Sequence, residues 1–278
     1  MLNYTIPITA VVFTKDEELN IIECLNSLKN FDEIVVVDSC SLDRTRDLAT
    51  ELGARVVDFN WNGEYPKKRQ WSLENINYRN SWIFFVDADE RVTEELTSEL
   101  RDFLNSNGVG FAAGSIPIDY YFAGKLLRHG QRPRKTVLLH LGKARFPKID
   151  DLSAEGMGEL EGHYQPIVNG KIKKFKSRIK HKDNDPISTW MTRHVSYAKW
   201  EAFLLQNKEV KIRVDLSKGR IVSIFHKIPF RPLAFFCYSY FLKVGFLDGK
   251  AGLNYAFAKS WYYWLSGVIA SEKIKNVE

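Results

Sequence analysis

The stretch IVVVDSCSLDRTRDLATELGARVVD, residues 34–58, decides the fold. It opens on a run of β-branched residues and passes through a polar turn. Leu48 and Leu52 then recur at helical spacing, and a second β-branched run follows Gly53. Short apolar runs bounded by turns are the signature of strands buried on both faces, and a helix between two of them makes a parallel crossover. The alternation extends both ways. Runs at 8–13, 34–37, 55–57 and 83–86 predict four strands. Leu19, Ile22, Leu25 and Leu28, then Leu48 and Leu52, then residues 66–75 around Trp71, predict the helices between them. The implied class is α/β, an open and mostly parallel sheet flanked by helices, with ligands expected at the carboxyl ends of the strands.

Beyond the fourth strand, Thr93 is a helix N-cap, with Glu94 and Glu95 in the first turn and Leu96, Leu100 and Leu104 on the apolar face. That helix is expected to end near Gly108. From 111 to about 164 the pattern breaks into short apolar pieces with Gly and Pro, predicting hairpins and loops over the mouth of the sheet. A helix is predicted from Ile187 to Gln206, opened by Asp185 and Pro186. The chain thus reads as a first half at 1–110, a second half at 111–210 and an aromatic helical tail at 211–278.

With 278 residues, 45% hydrophobic and 27% charged, the chain has the composition of a folded globular protein, not of a disordered or collagen-like one. Cys24, Cys40 and Cys237 are odd in number and far apart, which gives no support to a disulfide framework or a zinc ribbon. The first residues lack the basic start and apolar run of a secretory signal, so export is not expected. His129, His140, His163, His194 and His226 show no zinc spacing. The absence of a phosphate-loop motif weighs against ATP hydrolysis, and Gly156-x-Gly158 lies too far from a strand-to-helix turn to serve as a dinucleotide fingerprint.

The strand ends carry the chemistry. The first strand runs into Thr14-Lys15-Asp16-Glu17-Glu18, where carboxylates stand in place of phosphate-cradling glycines. The second ends in Asp38, followed by Ser39-Cys40-Ser41 and Asp43. Carboxylates at adjacent strand ends suit hydrogen bonding to a base or ribose, with helix capping as the alternative use of Asp16 and Asp43. The fourth ends in Asp87-Ala88-Asp89-Glu90. Two hard oxygen ligands in alternation suit Mg²⁺ or Mn²⁺ on a diphosphate. A calcium loop is excluded because Val92 occupies the position that needs glycine.

On these residues the sequence resembles family 2 glycosyltransferases of the GT-A fold. The matching pieces are Val11 to Glu18, Ile34 to Ser39, Lys68-Arg69-Gln70-Trp71 and Phe85 to Asp89. Gly245-Phe246-Leu247-Asp248-Gly249, with Gly252 and the aromatic helix that follows, further resembles the tail of bacterial enzymes that glycosylate lipopolysaccharide core or related cell-surface glycans. The resemblance implies an inverting, metal-dependent transfer of one sugar from a nucleotide sugar, UDP-linked, to a lipid-linked or lipopolysaccharide-type acceptor. It implies donor binding by Thr14, Asp16, Glu18, Asp38, Arg69, Asp87, Ala88 and Asp89, with Asp89 and Asp87 as ligands of Mg²⁺ or Mn²⁺. Ser39 stands where a second Asp is commoner, and Val137-Leu138 where an Arg-Leu pair is usual.

Inversion needs a general base within reach of the attacking hydroxyl. Residues 154–163 offer Glu155, Glu159 and Glu161 among glycines, with Asp151 just before. Glu155 fits the resembling pattern best, although Ala154 replaces the His that often precedes the base. His181, at the end of the basic stretch 171–182, is a further candidate, either orienting the acceptor or approaching the diphosphate. If the acceptor were polyprenyl phosphate, already an anion, no base would be needed.

The tail segments 233–242 and 257–270 are rich in aromatics, but Lys243 and Lys259 interrupt them and neither reaches the ~20 apolar residues of a span. Interleaved with Lys227, Arg231, Lys243, Lys250 and Lys259, they suit helices lying in a membrane interface, which places the protein in the cytoplasm, peripheral on the inner face of the cell membrane. A core or homo-oligomer contact is the alternative. The net charge of +6 permits a basic nucleic-acid-binding module, but the acidic strand ends argue against nucleic acid. An inert membrane scaffold of the same fold is a further class, made less probable by the intact D-x-D.

Overall fold

Four β-branched runs become the parallel half of one sheet. In the computed structural model they are β1 (Ile6–Thr14), β2 (Phe31–Asp38), β3 (Arg55–Asp58) and β4 (Trp82–Asp87), in the spatial order β3-β2-β1-β4 and all parallel. The structure describes residues 5–106, 108, 110–130, 133–161, 164–218 and 230–275. Gly162, His163, His226 and Lys227, singled out in the sequence, lie outside the described residues. Val11, Val12, Val35, Val36, Val37 and Ile83 are fully buried, because helices cover the sheet on both faces.

The crossovers are α1 (Ile21–Ser27), α2 (Thr45–Glu51) and α3 (Lys68–Asn75). Helix α1 buries Ile21, Cys24 and Leu25, while Leu19 and Ile22 are 60% and 43% exposed. The apolar spacing holds for Leu25 and Leu28, both buried, but Leu19 belongs to the turn before the helix and Ile22 faces outward, Ile21 and Cys24 taking the inner positions. Leu52 likewise ends outside α2 and is exposed. Strand β5 (Glu90–Val92) leads to α4 (Glu94–Asn105), where Thr93 Oγ1 accepts from Leu96 N at 3.2 Å as the N-cap expected.

The middle of the chain is more regular than its composition suggests. Strand β6 (Phe111–Phe122) and β8 (Arg134–His140) lie inside the sheet, joined by a hairpin through β7 (Lys125–Leu126); β8 pairs antiparallel with both β4 and β6. Gly114 is small because the Phe175 ring lies against the strand: a Cβ there would come within 2.5 Å of it. A separate pair, β9 (Ala144–Arg145) and β10 (Ile167–Val168), precedes β11 (Lys171–Lys174) and β12 (Ile179–His181), which run parallel to β6. Strand β12 then pairs with β5, closing the order β4-β8-β6-β12-β5.

Helix α5 (Ile187–Gln206) occupies the range the sequence assigned, followed by α6 (Lys208–Lys218). The tail forms α7 (Arg231–Cys237), a wide helical turn at Tyr238–Leu242, a tight one at Gly245–Asp248, and α8 (Gly249–Lys275), which packs along α5 and α7. Asp248, the acid of the Gly-Phe-Leu-Asp-Gly stretch, clamps the tail to the β7–β8 loop: its carboxylate accepts from Arg128 N and His129 N and faces His129 Nδ1 at 3.0 Å. Among the described residues, no helix is long and apolar enough to cross a membrane.

Two buried groups fasten α5 to the rest. Asp151 accepts from Tyr65 OH at 2.6 Å and from Trp200 Nε1 at 3.0 Å, and pairs with Lys67 Nζ at 2.9 Å, both charges being fully buried. Breaking such a pair from one side strands a buried charge, at a cost of about 3–5 kcal/mol. Asp151→Ala is therefore expected to lose about that much in denaturant unfolding, and the double variant with Lys67→Met to lose less than Asp151→Ala alone. His194 on α5 stacks on Trp190 at 3.5 Å, meets Tyr262 of α8, and donates from Nδ1 to Trp190 O. Burial pushes its imidazole pKa down to about 3. Between that value and the ordinary 6.5 the unfolded chain binds the extra proton, so stability is full above about pH 6.5 and lost as pH falls, with a slope of up to about 1.4 kcal/mol per pH unit. In urea titrations across pH 4–7, His194→Phe is expected to flatten that slope.

Candidate active site

Helix α3 opens with three cations, Lys67 at the N-cap, then Lys68 and Arg69. The N-terminal end of a helix carries partial positive charge, so cations there need anchors. Lys67 finds Asp151. Lys68 Nζ donates to Thr14 O at 2.8 Å and lies 3.7 Å from Glu159; burial pushes its pKa down to about 8. Arg69 Nη2 donates to Asp87 Oδ1 at 2.8 Å. Glu161 supplies the negative charge the helix end calls for, accepting from Arg69 N and Gln70 N at 3.0 and 2.8 Å.

The two aspartates at the end of β4 have different surroundings. Asp87 is held by Arg69 on one oxygen and by Lys135 Nζ of β8 on the other at 2.6 Å, while Lys135 also donates to buried Glu90 at 2.6 Å. Burial opposes ionisation of Asp87, but the Lys135 ammonium and the Arg69 guanidinium outweigh it and hold the carboxyl far below the usual range. Asp89 has no such clamp. Its buried Oδ1 forms an ion pair with His181 Nδ1 at 3.2 Å, and neither atom has a further hydrogen-bond partner among the described residues. Burial would lower the His181 pKa, but the Asp89 carboxylate raises it overall. Ala88, between the two, is buried, and its carbonyl accepts from Arg91 Nη1.

At the end of β1 and β2, Asp38 is fully buried and accepts from Thr14 Oγ1 at 2.8 Å and from Ser41 N and Oγ. Asp16 takes a positive φ of 55° and, rather than capping a helix, ties the two turns together by accepting from Leu42 N at 2.8 Å. Glu18 accepts from Arg44 N at 3.1 Å, and Asp43 accepts from Glu18 N and Thr45 N. Burial, then the nearby Asp89 charge, push Glu17 up to about 8. A strap at 182–186 crosses these turns: Lys182 N donates to Asp89 O, Asn184 N to Asn20 Oδ1, and Asp183 and Asp185 both pair with Arg193 of α5.

Of the four candidate bases, Asp151 and Glu161 are buried and committed to the hydrogen bonds above, and Glu159 faces Lys68. Glu155 stands at the surface in an ion pair with Lys199 of α5 at 3.2 Å. Its loop presses onto α5 at Gly156, whose φ is 101° and where a Cβ would come within 1.9 Å of Ser196 O. The structure thus gathers Arg69, Asp87, Asp89 and His181 around one strand end and Thr14 with Asp38 at the next, while Glu155 sits on a separate loop held to α5.

Sequence reasoning gave no role to Lys68, Lys135, Glu90, Glu17 or Arg193. Three cations at a helix start carried a signal for Lys68, since that placement is unfavourable without acidic partners. Lys135 and Arg193 meet the site only through tertiary pairing, which no local spacing reveals.

The model of the glycosyl transferase family 2 matches residues 9–196. The chain is 27% identical over 273 residues to a lipopolysaccharide core biosynthesis glycosyltransferase of Rhizobium meliloti, covering 91% of this chain and 90% of that protein. It is 41% identical over 95 residues to an uncharacterized glycosyltransferase of Rickettsia bellii, covering 34% of this chain; the match spans about a third, 31%, of that relative's length. Among solved structures, S. aureus TarS 1–349 superposes with a TM-score of 0.43 at 16% identity, covering 97% of this chain and 91% of that one.

The unequal surroundings of the two aspartates lead to unequal costs of removal. Asp87→Ala leaves Arg69 and Lys135 facing each other without their shared carboxylate, and a loss of about 2 kcal/mol is expected after allowance for partial exposure. Asp89→Ala is expected to cost less than half of that in the same urea unfolding experiment.

Proposed function

The chain belongs to glycosyl transferase family 2, and on that footing we propose that it moves a single sugar from a nucleotide sugar, UDP-linked, to a lipid-linked or lipopolysaccharide-type acceptor, with inversion and with the help of a divalent cation. One observation carries this reading: at the end of β4 one carboxylate is neutralised by two cations, while the next sets a buried oxygen against the His181 imidazole alone among the described residues. Asp38 and Thr14, with the turn at Asp16 and Glu18, bind the nucleoside. Arg69 and Lys135 fix Asp87 and hold positive charge beside the diphosphate.

Asp89 Oδ1 and His181 Nδ1, a carboxylate and an imidazole 3.2 Å apart, suit Mn²⁺ or Mg²⁺. Among the described residues no cluster of three acidic, His or Cys side chains is placed to hold a metal, so Asp89 and His181 would hold the cation together with the nucleotide's own oxygens. When bound, the cation supplies Lewis-acid charge to the leaving diphosphate. Asp87, with both oxygens occupied, acts in this reading as the anchor of Arg69 and Lys135, not as a metal ligand.

Glu155 takes the proton of the acceptor hydroxyl as that oxygen bonds to the anomeric carbon, and the bond to the diphosphate breaks with its electrons leaving on the nucleotide. The elimination of Asp151 and Glu161 by burial supports Glu155 in this role. The tail supports seating on the inner face of the cell membrane: Phe230, Leu233, Phe241, Leu242 and Phe257 are each more than half exposed, with Lys243 and Lys250 among them at the surface.

Nucleotide release from a panel of nucleotide sugars, with Mn²⁺ or with chelator and with a lipid-extract acceptor, tests the reading. One donor is expected to support metal-dependent transfer, lost in Asp89→Ala and slowed by about 10²–10⁴ in Glu155→Gln with donor affinity kept. Transfer that survives both chelator and Asp89→Ala contradicts it.

A further inference from the structure

Strand β6 brings Tyr120 level with His181, its parallel partner on β12, so both side chains project from the same face of the sheet. The two rings stack with centroids 4.9 Å apart and planes at 18°. The Tyr120 ring also meets Tyr255 of α8 at 5.4 Å with planes at 54°, and its hydroxyl accepts from Trp190 Nε1 of α5 at 3.0 Å. Phe122, two residues on, fills the space between Trp190 and Tyr255 at 5.3 and 5.5 Å. Tyr120 is thus gripped from two helices and from its own strand.

At Nδ1 the ring it lies against meets carboxylates alone, Asp89 Oδ1 at 3.2 Å and Glu90 Oε1 at 4.0 Å. No further hydrogen bond holds that nitrogen among the described residues. The terminal torsion of histidine is broad, so the orientation of the ring follows what packs on its faces. A ligand pair holds a cation well only when its atoms stay within about 0.5 Å and 10–20° of the right geometry. Ligating histidines are ordinarily oriented by a hydrogen-bonded outer partner, whose loss costs about 10–100-fold in metal affinity.

We infer that Tyr120 is the positioning residue for His181, doing by ring stacking what a hydrogen-bonded outer partner does elsewhere, with Tyr255 of the C-terminal helix as its backstop. This rests on the assignment of Asp89 and His181 as the cation's protein ligands. The tail is then part of the metal site as well as a surface for lipid. The Tyr120 hydroxyl points to Trp190, not to His181, so the ring and not the oxygen carries the effect.

Mn²⁺ binding to the full chain in the presence of UDP, read from the electron paramagnetic resonance signal of free Mn²⁺, tests this without turnover. Tyr120→Leu and Tyr120→Met are expected to weaken Mn²⁺ binding by about 10–100-fold, Tyr255→Leu to weaken it in the same direction, and Tyr120→Phe to stay within about threefold of the parent. Circular dichroism and melting identify any variant that does not fold, and the inference is judged on the folded ones. It is overturned if the folded Leu or Met variant binds Mn²⁺ within twofold of the parent, or if Tyr120→Phe weakens binding as much as they do. Asp89→Ala and His181→Ala separate the two levels: if both bind Mn²⁺ like the parent, the ligand assignment itself fails; if both lose it while Tyr120→Leu does not, only the positioning role fails.

Discussion

Three consecutive cations at the start of a helix set the terms for the site. The dipole of α3 works against Lys67, Lys68 and Arg69, and each is held by a different part of the chain: Asp151 of the 146–161 segment, the end of β1, and Asp87 at the end of β4. Glu161 restores the favourable sign at the helix end. Three segments far apart in sequence are thereby tied to one turn of helix. The loop that carries Glu155 lies within the segment so tied, and the two acids that flank it serve as anchors.

The same interaction separates the roles of Asp87 and Asp89. Alternation along a strand suggested that both would face one ligand. Instead β4 ends at Asp87, the chain turns at Ala88, and Asp89 emerges beside β12. A carboxylate shared by a guanidinium and an ammonium gains little from a further cation. A carboxylate whose buried oxygen meets an imbalanced partner gains much. The fold thus holds one acid fixed and leaves the next available at neighbouring positions.

The parallel half of the sheet was legible because its inner strands β1, β2 and β4 are buried on both faces and read as runs of Val, Ile and Phe, while β3 at the edge is at most half-buried. Thr93 and the helix from Ile187 were legible through cap chemistry and Pro186. Strand β6 was legible only as part of a hairpin and not in its length: Gly114 answers to the Phe175 ring, and packing against a distant aromatic leaves no local signal. At α1, Leu25 and Leu28 are buried as the spacing suggests, while Leu19 precedes the helix and Ile22 faces outward. At the site, Asp38, Asp89 and the Asp16 turn lie at the strand ends where they were expected, but the Lys135 clamp and the stacking of Tyr120 on His181 depend on β8 pairing with β4 and β12 pairing with β6, across more than fifty residues of sequence.

The division of labour between the two aspartates is the central claim, and a crystal structure of the full chain with UDP and Mn²⁺ tests it most directly. The account predicts the cation on Asp89 and His181, with Asp87 still bonded to Arg69 and Lys135. A cation bound to Asp87, with Arg69 or Lys135 displaced from it, contradicts the account.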